Sequence, residues 1–204
     1  MAALTEATVV LRIQRALRDP STATFATADI HLEMLDSLHE VSEWVPNLVL
    51  STVTTQEGVK SINIGAQTNL LYGENEMSFE QVEFPIDLDP QRKRNFSVQG
   101  SALHMDIDFV PTSGEDVRLT LRRPHDLFGS TSTLTPALEK IFIQHVAGKM
   151  GVEHAIDSIG GISIGGQRTS EQFEAWGTRQ VEKAEKKLGH MRTARMAIEY
   201  RRDR

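Results

Sequence analysis

Residues 117–146 read VRLTLRRPHDLFGSTSTLTPALEKIFIQHV, and the spacing of the apolar residues changes within this stretch. Val117, Leu119 and Leu121 alternate with polar residues, which predicts a strand with one buried face. Thr135-Pro136 then predicts the start of a helix, because Thr is a good N-cap and Pro favours the first helical position. The stretch therefore indicates a return from β structure to helical structure.

Several short strands are predicted before this point. The clearest is Ser101–Val110, in which every second residue from Leu103 to Phe109 is apolar. A turn at residues 112–115 predicts that this strand forms a hairpin with the strand that begins at Val117. Further candidates are residues 48–54, 61–64 and 77–88, the last of which is broken by Pro85. Together, four to six short strands predict a small antiparallel sandwich or barrel.

Helical patterns fill both ends of the chain. At the N-terminal end, Thr5 and Thr27 are candidate caps of two short amphipathic helices, which Asp19-Pro20 and Pro46 terminate. These two helices are expected to form an αα-hairpin.

Two longer helices are predicted after the strands. The first begins at Pro136, carries a mostly apolar face and is expected to continue toward Ile159. The second is strongly charged, with Ser170 as its candidate cap, and runs almost to the C-terminus.

The predicted fold class is α+β, with a helical core of two N-terminal and two C-terminal helices. Residues 1–46 and 125–204 form this core, and residues 47–124 form an inserted small antiparallel β-sandwich or barrel. Residues 192–204 form a basic C-terminal extension.

Charge is unevenly distributed along the chain, whose formal net charge is -6. In residues 190–204, five arginines face only Glu199 and Asp203, so this segment carries +3 and residues 1–189 carry -9. The acidic body argues against nucleic-acid binding over its general surface. The basic end is suited to docking on an acidic protein or on phosphate. Alternatively, it is a solvated helix end whose cations are favoured by the helix dipole.

Composition excludes several classes of protein. The chain has 0 Cys, which rules out disulfides, a thiolate nucleophile and a zinc–thiolate site. No apolar run approaches the ~20 residues that span a bilayer, so no membrane partner is expected.

A glycine-rich segment partly matches the pattern of a phosphate-binding loop. Residues 161–169 read G-x-x-x-x-G-Q-R-T, with Arg168 where the loop needs Lys, and they follow a helix rather than a strand. A flexible helix connection or a short hairpin for subunit contacts is the preferred interpretation. No cofactor is predicted.

The remaining polar residues do not predict a reactive site. Asp106 and Asp108 are interpreted as the solvated polar face of a strand, and His145 as a hydrogen-bonded core histidine. Arg122-Arg123 is a candidate contact with DNA or a partner, or an edge charge that blocks aggregation. No catalytic or metal-binding residue is predicted, and the protein is not expected to be an enzyme.

Three stretches of the chain resemble the adaptor family of tailed-bacteriophage head–tail connectors. Residues 11–20, LRIQRALRDP, resemble the opening helix of those proteins, and residues 117–124, VRLTLRRP, resemble the strand that leads back from their β insertion. Thr135-Pro136-Ala137-Leu138, followed by an apolar helix and a long charged helix, is similar to their second half. The resemblance spans nearly the whole chain, although the β insertion here is larger than the minimal family pattern.

The resemblance implies a structural virion protein, located at the head–tail junction and assembled in the host cytoplasm. Adaptors form a ring below the portal, typically a dodecamer, whose helical parts pack side by side and extend the DNA channel toward the tail. The implied partners are further copies of the chain, the portal protein and a downstream tail, stopper or tube protein, while genomic DNA passes through without specific binding. The implied portal-docking residues lie near the C-terminus and are Arg195, Ile198, Tyr200, Arg201, Arg202 and Arg204. A stopper or tail-completion ring protein is the alternative, and an unrecognised enzyme is a more remote one.

Overall fold

The computed structural model describes residues 5–19, 24–65, 79–86, 92–127, 132–159 and 167–202. Within these ranges the chain forms four helices, two before and two after the β structure, and seven strands in two antiparallel sheets. The predicted α+β class is therefore confirmed. The chain divides into two compact units, one of Met1–Val45 with His125–Arg204 and one of Pro46–Pro124.

The first unit is helical. It contains α1 (Glu6–Ala16), α2 (Thr27–Trp44), α3 (Pro136–Ile159) and α4 (Gln167–Arg202). Helices α1 and α2 pack mainly on α3, and α3 packs along α4, so α3 is the centre of the unit. The apolar stripes seen in the sequence form one core, which includes Val9, Ile13, Ile30, Met34, Val41, Leu138, Phe142, Val146, Ala184 and Leu188.

Two predicted caps are confirmed. The Thr5 hydroxyl accepts a hydrogen bond of 3.4 Å from the backbone N–H of Thr8. At the start of α3, the Thr135 hydroxyl accepts one of 3.3 Å from Leu138. Both bonds satisfy N–H groups that a helix cannot pair internally.

The other two predicted caps are wrong. Helix α2 begins at Thr27 itself, and Ala26 occupies the cap position without a side-chain hydrogen bond. Helix α4 begins at Gln167, three residues before the predicted cap, so Ser170 lies inside the helix and is buried. The sequence pattern therefore placed both starts slightly late.

The chain leaves and re-enters the helical unit at neighbouring points. Nε2 of the buried His125 lies 2.8 Å from the carbonyl oxygen of Val45, and its backbone N–H donates to Ser42 Oγ at 2.9 Å. Its Nδ1 lies 3.0 Å from Thr133 Oγ1. One histidine thus ties the end of α2 to the chain that returns toward α3.

The second unit contains the seven strands, which form two sheets. They are β1 (Asn47–Thr54), β2 (Ser61–Asn63), β3 (Phe79–Glu83), β4 (Lys93–Arg94), β5 (Phe96–Gln99), β6 (Ala102–Met105) and β7 (Asp116–Arg123). One sheet has the order β1-β7-β3-β4 and the other β2-β6-β5. Side chains from both sheets form one hydrophobic cluster, as in a small sandwich, and it includes Ile62, Phe79, Val82, Leu103, Leu119 and Leu121.

The predicted hairpin between the strand at Ser101–Val110 and the strand at Val117 is wrong. Strand β6 ends at Met105 and pairs with β2 and β5, whereas β7 pairs with β1 and β3. Beyond Met105 the chain is held by other bonds: Lys60 Nζ donates to the carbonyl of Ile107 at 2.5 Å. Alternation identifies a buried face but not the neighbouring strand, because both sheets face the same core.

Candidate partner-binding surfaces

The basic end of the chain lies at the end of the long helix α4. It has 36 residues, which at 1.5 Å per residue correspond to roughly 54 Å. Ala184 and Leu188 are buried in the helical core, and Met191 is the last described α4 side chain that packs against it. The helical backbone continues from there to Arg202.

Close packing against α3 fixes the course of α4. A Cβ built on Gly148 of α3 would lie 2.9 Å from the carbonyl oxygen of Gly177 of α4, a distance that real Cβ atoms do not adopt. One turn further along α3, a Cβ on Gly151 would lie 2.9 Å from the Trp176 ring. This contact was not predicted from the sequence, although a glycine inside a helical pattern can have a packing reason.

Five of the six predicted docking residues lie in the last turns of α4. The backbone is helical at Arg195, Ile198, Tyr200, Arg201 and Arg202, and the side chains of residues 194–202 lie outside the described part of the structure. Arg204 lies outside the described residues altogether. Their role in docking stays a prediction.

A buried polar network joins α2 to α3. His145 is 2% exposed, and its Nδ1 lies 3.0 Å from Ser37 Oγ, which in turn donates to Glu33 Oε1 at 2.8 Å. Lys149 Nζ lies 2.5 Å from Glu40 Oε1 and 3.4 Å from Glu33 Oε1. The prediction that His145 is a hydrogen-bonded core histidine is confirmed.

Burial shifts the pKa values of this network. Desolvation raises the pKa of Glu33 above its ordinary value, against the effect of the Ser37 hydrogen bond and the Lys149 charge. Desolvation also lowers the pKa of His145, which favours the neutral imidazole despite the nearby Glu40. For Lys149, burial acts to lower the pKa, but the hydrogen bond that Lys149 donates to Glu40 and the charges of Glu33 and Glu40 outweigh it and raise the pKa.

Ser37, His145 and Glu40 have the residue types of a hydrolase triad, but their arrangement does not suit that chemistry. Ser37 is 0% exposed, so no substrate reaches its hydroxyl. Its hydroxyl donates a hydrogen bond to Glu33, whereas the hydroxyl of a nucleophilic serine must donate to the histidine that removes its proton. We therefore assign this network to the packing of α2 on α3.

Four charged residues of the β unit are likewise solvated or paired, whereas Arg123 Nε is buried without a hydrogen-bond partner. Asp106 and Asp108 are exposed as expected, but they follow the end of β6, so the predicted shared strand face is wrong. Arg122 forms an ion pair with Glu80 on the neighbouring strand, and Arg118 forms one of 3.1 Å with Glu83. These pairs lie across adjacent strands and stabilise the sheet.

Other features named in the sequence analysis give no site. The glycine-rich segment lies outside the described residues from Gly160 to Gly166, and Gln167 to Thr169 form the first turn of α4. Over the described ranges, no group of three or more His, Asp or Glu side chains is placed to hold a metal ion. Among the described helices, none combines the length and apolar character needed to cross a membrane.

No model of a protein family matches this chain, and no curated protein matches it.

Proposed function

We propose that this protein is an adaptor, a structural virion protein that forms a ring at the head–tail junction. In this role it docks on the portal, extends the DNA channel and contacts a downstream tail, stopper or tube protein. The ring is proposed to be a dodecamer, so that it matches the portal. No catalytic activity and no cofactor belong to this function.

Helix α4 is the observation that carries the proposal. It is held in the helical core as far as Met191 and continues as helix to Arg202, which corresponds to roughly 16 Å of further helix. The last 15 residues of the chain carry +3. A basic helical end of this kind is suited to inserting into an acidic site on a partner.

The charge of the β unit supports the second part of the proposal. Residues 47–124 contain 11 Asp and Glu against 7 Lys and Arg, a net charge of -4. Contacts that neutralise phosphates release counterions and add affinity, which would hinder DNA from sliding. An acidic wall makes few such contacts, so it favours free passage.

The proposal is tested by mixing the protein with the portal protein encoded in the same genome and imaging the complex by electron cryomicroscopy. We expect a ring on the tail-facing side of the portal. The variant R201E/R202E is expected to lose this binding. Its matched control is K183E/K186E, which makes the same charge change at two exposed positions in the middle of the same helix.

Two outcomes would contradict the adaptor role. The first is equal loss of portal binding by the variant and its control, since docking would then not depend on the helix end. The second is a ring that binds a tail component but not the portal, which would favour the stopper or tail-completion alternative.

A further inference from the structure

Helix α2 carries a second apolar stripe on the face opposite its core residues. Ala28, Leu32 and Leu35 are all exposed and are separated by four and three residues. Leu32 is 64% exposed and Leu35 is 51% exposed. This spacing is typical of a helix that packs along another helix, and the core-facing stripe of α2 is formed by other residues, Ile30, Met34, Leu38 and Val41.

The surroundings of this stripe are acidic. Helix α2 has five acidic residues and no Lys or Arg. Glu33 and Glu40 are engaged with Lys149, and Glu43 Oε1 lies 3.6 Å from His39 Nδ1. Asp36 and Glu43 are both exposed beside the stripe. An occupant of this surface should therefore combine an apolar side chain with basic neighbours.

An exposed apolar side chain with basic neighbours is found in helix α1 and the two residues that follow it. Leu11 is 54% exposed, and Arg15 and Arg18 are exposed on the same segment. Residues 11–18 contain three arginines and no acidic residue. Of these arginines, Arg12 forms an ion pair with the buried Glu139 of α3. This pair holds α1 on α3, so Leu11 and Arg15 stay exposed at the surface.

The middle of α4 is a less suitable occupant. Its exposed lysines, Lys183, Lys186 and Lys187, alternate with the exposed Glu182 and Glu185. This mixed surface offers little net attraction to the carboxylates of α2. Charge complementarity therefore favours α1.

We infer that the outer stripe of α2 binds α1 of a second copy of this chain. Leu11 of one copy packs on Leu32 and Leu35 of the next, and Arg15 and Arg18 face the carboxylates that flank the stripe. Because the two surfaces differ, the contact is head to tail, so repeated copies form a ring when the rotation closes. The inference rests on the proposed ring and names the surfaces that join neighbouring subunits.

The absence of cysteine from the chain allows the contact to be trapped with introduced thiols. We expect a mixture of L11C and L35C proteins to form a disulfide-linked dimer under mild oxidation, while each variant alone stays uncrosslinked. A mixture of L35C and K183C serves as the control for random collision, because Lys183 is also exposed on a helix of the same unit. All three positions are exposed, so we expect the circular dichroism spectrum of each variant to match that of the wild type.

Three results of this experiment would overturn the inference. Dimers of L35C alone would show a two-fold contact between two α2 helices. Preferential crosslinking of L35C with K183C would make α4 the occupant. If no crosslink formed at any protein concentration tested, copies of the chain would not meet through the outer stripe of α2.

Charge reversal separates this inference from the adaptor proposal. We expect R15E and D36K each to weaken self-association measured by native mass spectrometry, and the double variant R15E/D36K to restore it. A ring that forms on the portal and is insensitive to both single variants would overturn the inference but leave the adaptor proposal intact. A ring that depends on both residues but does not bind the portal would overturn the adaptor proposal and leave the inference intact.

Discussion

A Cβ built on Gly177 would lie 2.5 Å from the carbonyl oxygen of Gly148, so the backbones of α3 and α4 are in contact at this point. Only glycine allows such an approach, because any side chain would have to displace a backbone atom. The contact therefore fixes where α4 crosses α3, and it sets the direction in which the basic end of α4 extends.

Substitution of Gly177 tests this contact. We expect Gly177→Ala to lower the free energy of unfolding by about 1–3 kcal/mol, the usual cost of overpacking. Gly189→Ala is the matched control, since its Cβ would meet only the Trp44 ring, at 3.7 Å, in ordinary contact. That change should raise the free energy of unfolding by roughly 0.5–1 kcal/mol, because Ala favours helix over Gly. Urea unfolding measures both, and effects of the same sign would argue against the close crossing.

Lowering the pH below about 6.5 is expected to destabilise the helical unit. Burial lowers the pKa values of His125 and His145 from their ordinary value of 6.5. The unfolded chain therefore takes up these protons first, so stability is fully present above pH 6.5 and is lost as the pH falls toward the folded pKa values. Glu33 acts in the opposite sense, because its pKa is raised.

The contribution of His145 is isolated by His145→Gln. We expect the free energy of unfolding of this variant to change less between pH 7 and pH 5 than that of the wild type. His39→Gln is the control, since the His39 side chain is 60% exposed. If the two variants showed the same pH profile, the assigned cause would be wrong.

Truncation after Met191 is expected to leave a folded protein that does not bind the portal. Arg192 and Thr193, whose side chains are the described ones in the removed segment, are exposed, so we expect this segment to contribute little to the core. We expect the free energy of unfolding to change by less than about 0.5 kcal/mol, as for surface changes. A large loss of stability would show that the segment packs within its own subunit, and unchanged incorporation into particles would argue against its docking role.

The isolated protein is expected to bind duplex DNA weakly at low salt. The β unit is acidic, and its Arg118 and Arg122 are paired with glutamates. Fluorescence anisotropy with a labelled duplex measures the affinity and its salt dependence. Tight binding with a steep salt dependence would show that a basic surface contacts phosphates, and Arg123 and the C-terminal arginines would then be assigned to the channel.

The helices were largely predictable because their signals are local. Thr5 and Thr135 cap helices that their own neighbouring residues form. The pairing of strands was not predictable, because Leu103 and Leu119 have the same alternating environment but belong to different sheets. Strands β4 and β5 were both missed. Strand β4 consists of two charged residues, Lys93 and Arg94, without an apolar pattern, and β5 has only four residues, Phe96–Gln99.

Features of the candidate surfaces depended on distant residues. His145 was recognisable as a polar residue on an apolar helix face, but its partner Ser37 is 108 positions away in the sequence. The close approach of Gly148 to Gly177 depends on how α3 and α4 cross. The spacing of apolar residues within each helix does not predict that crossing. The outer stripe of α2 became visible only when its core-facing stripe was known.

The bond between His125 and Val45 makes the β unit a removable module. Since the two connecting chains meet at one place in the helical unit, residues 46–124 can be exchanged for a short loop without separating α2 from the chain that leads into α3. Such a deletion should yield a minimal four-helix protein.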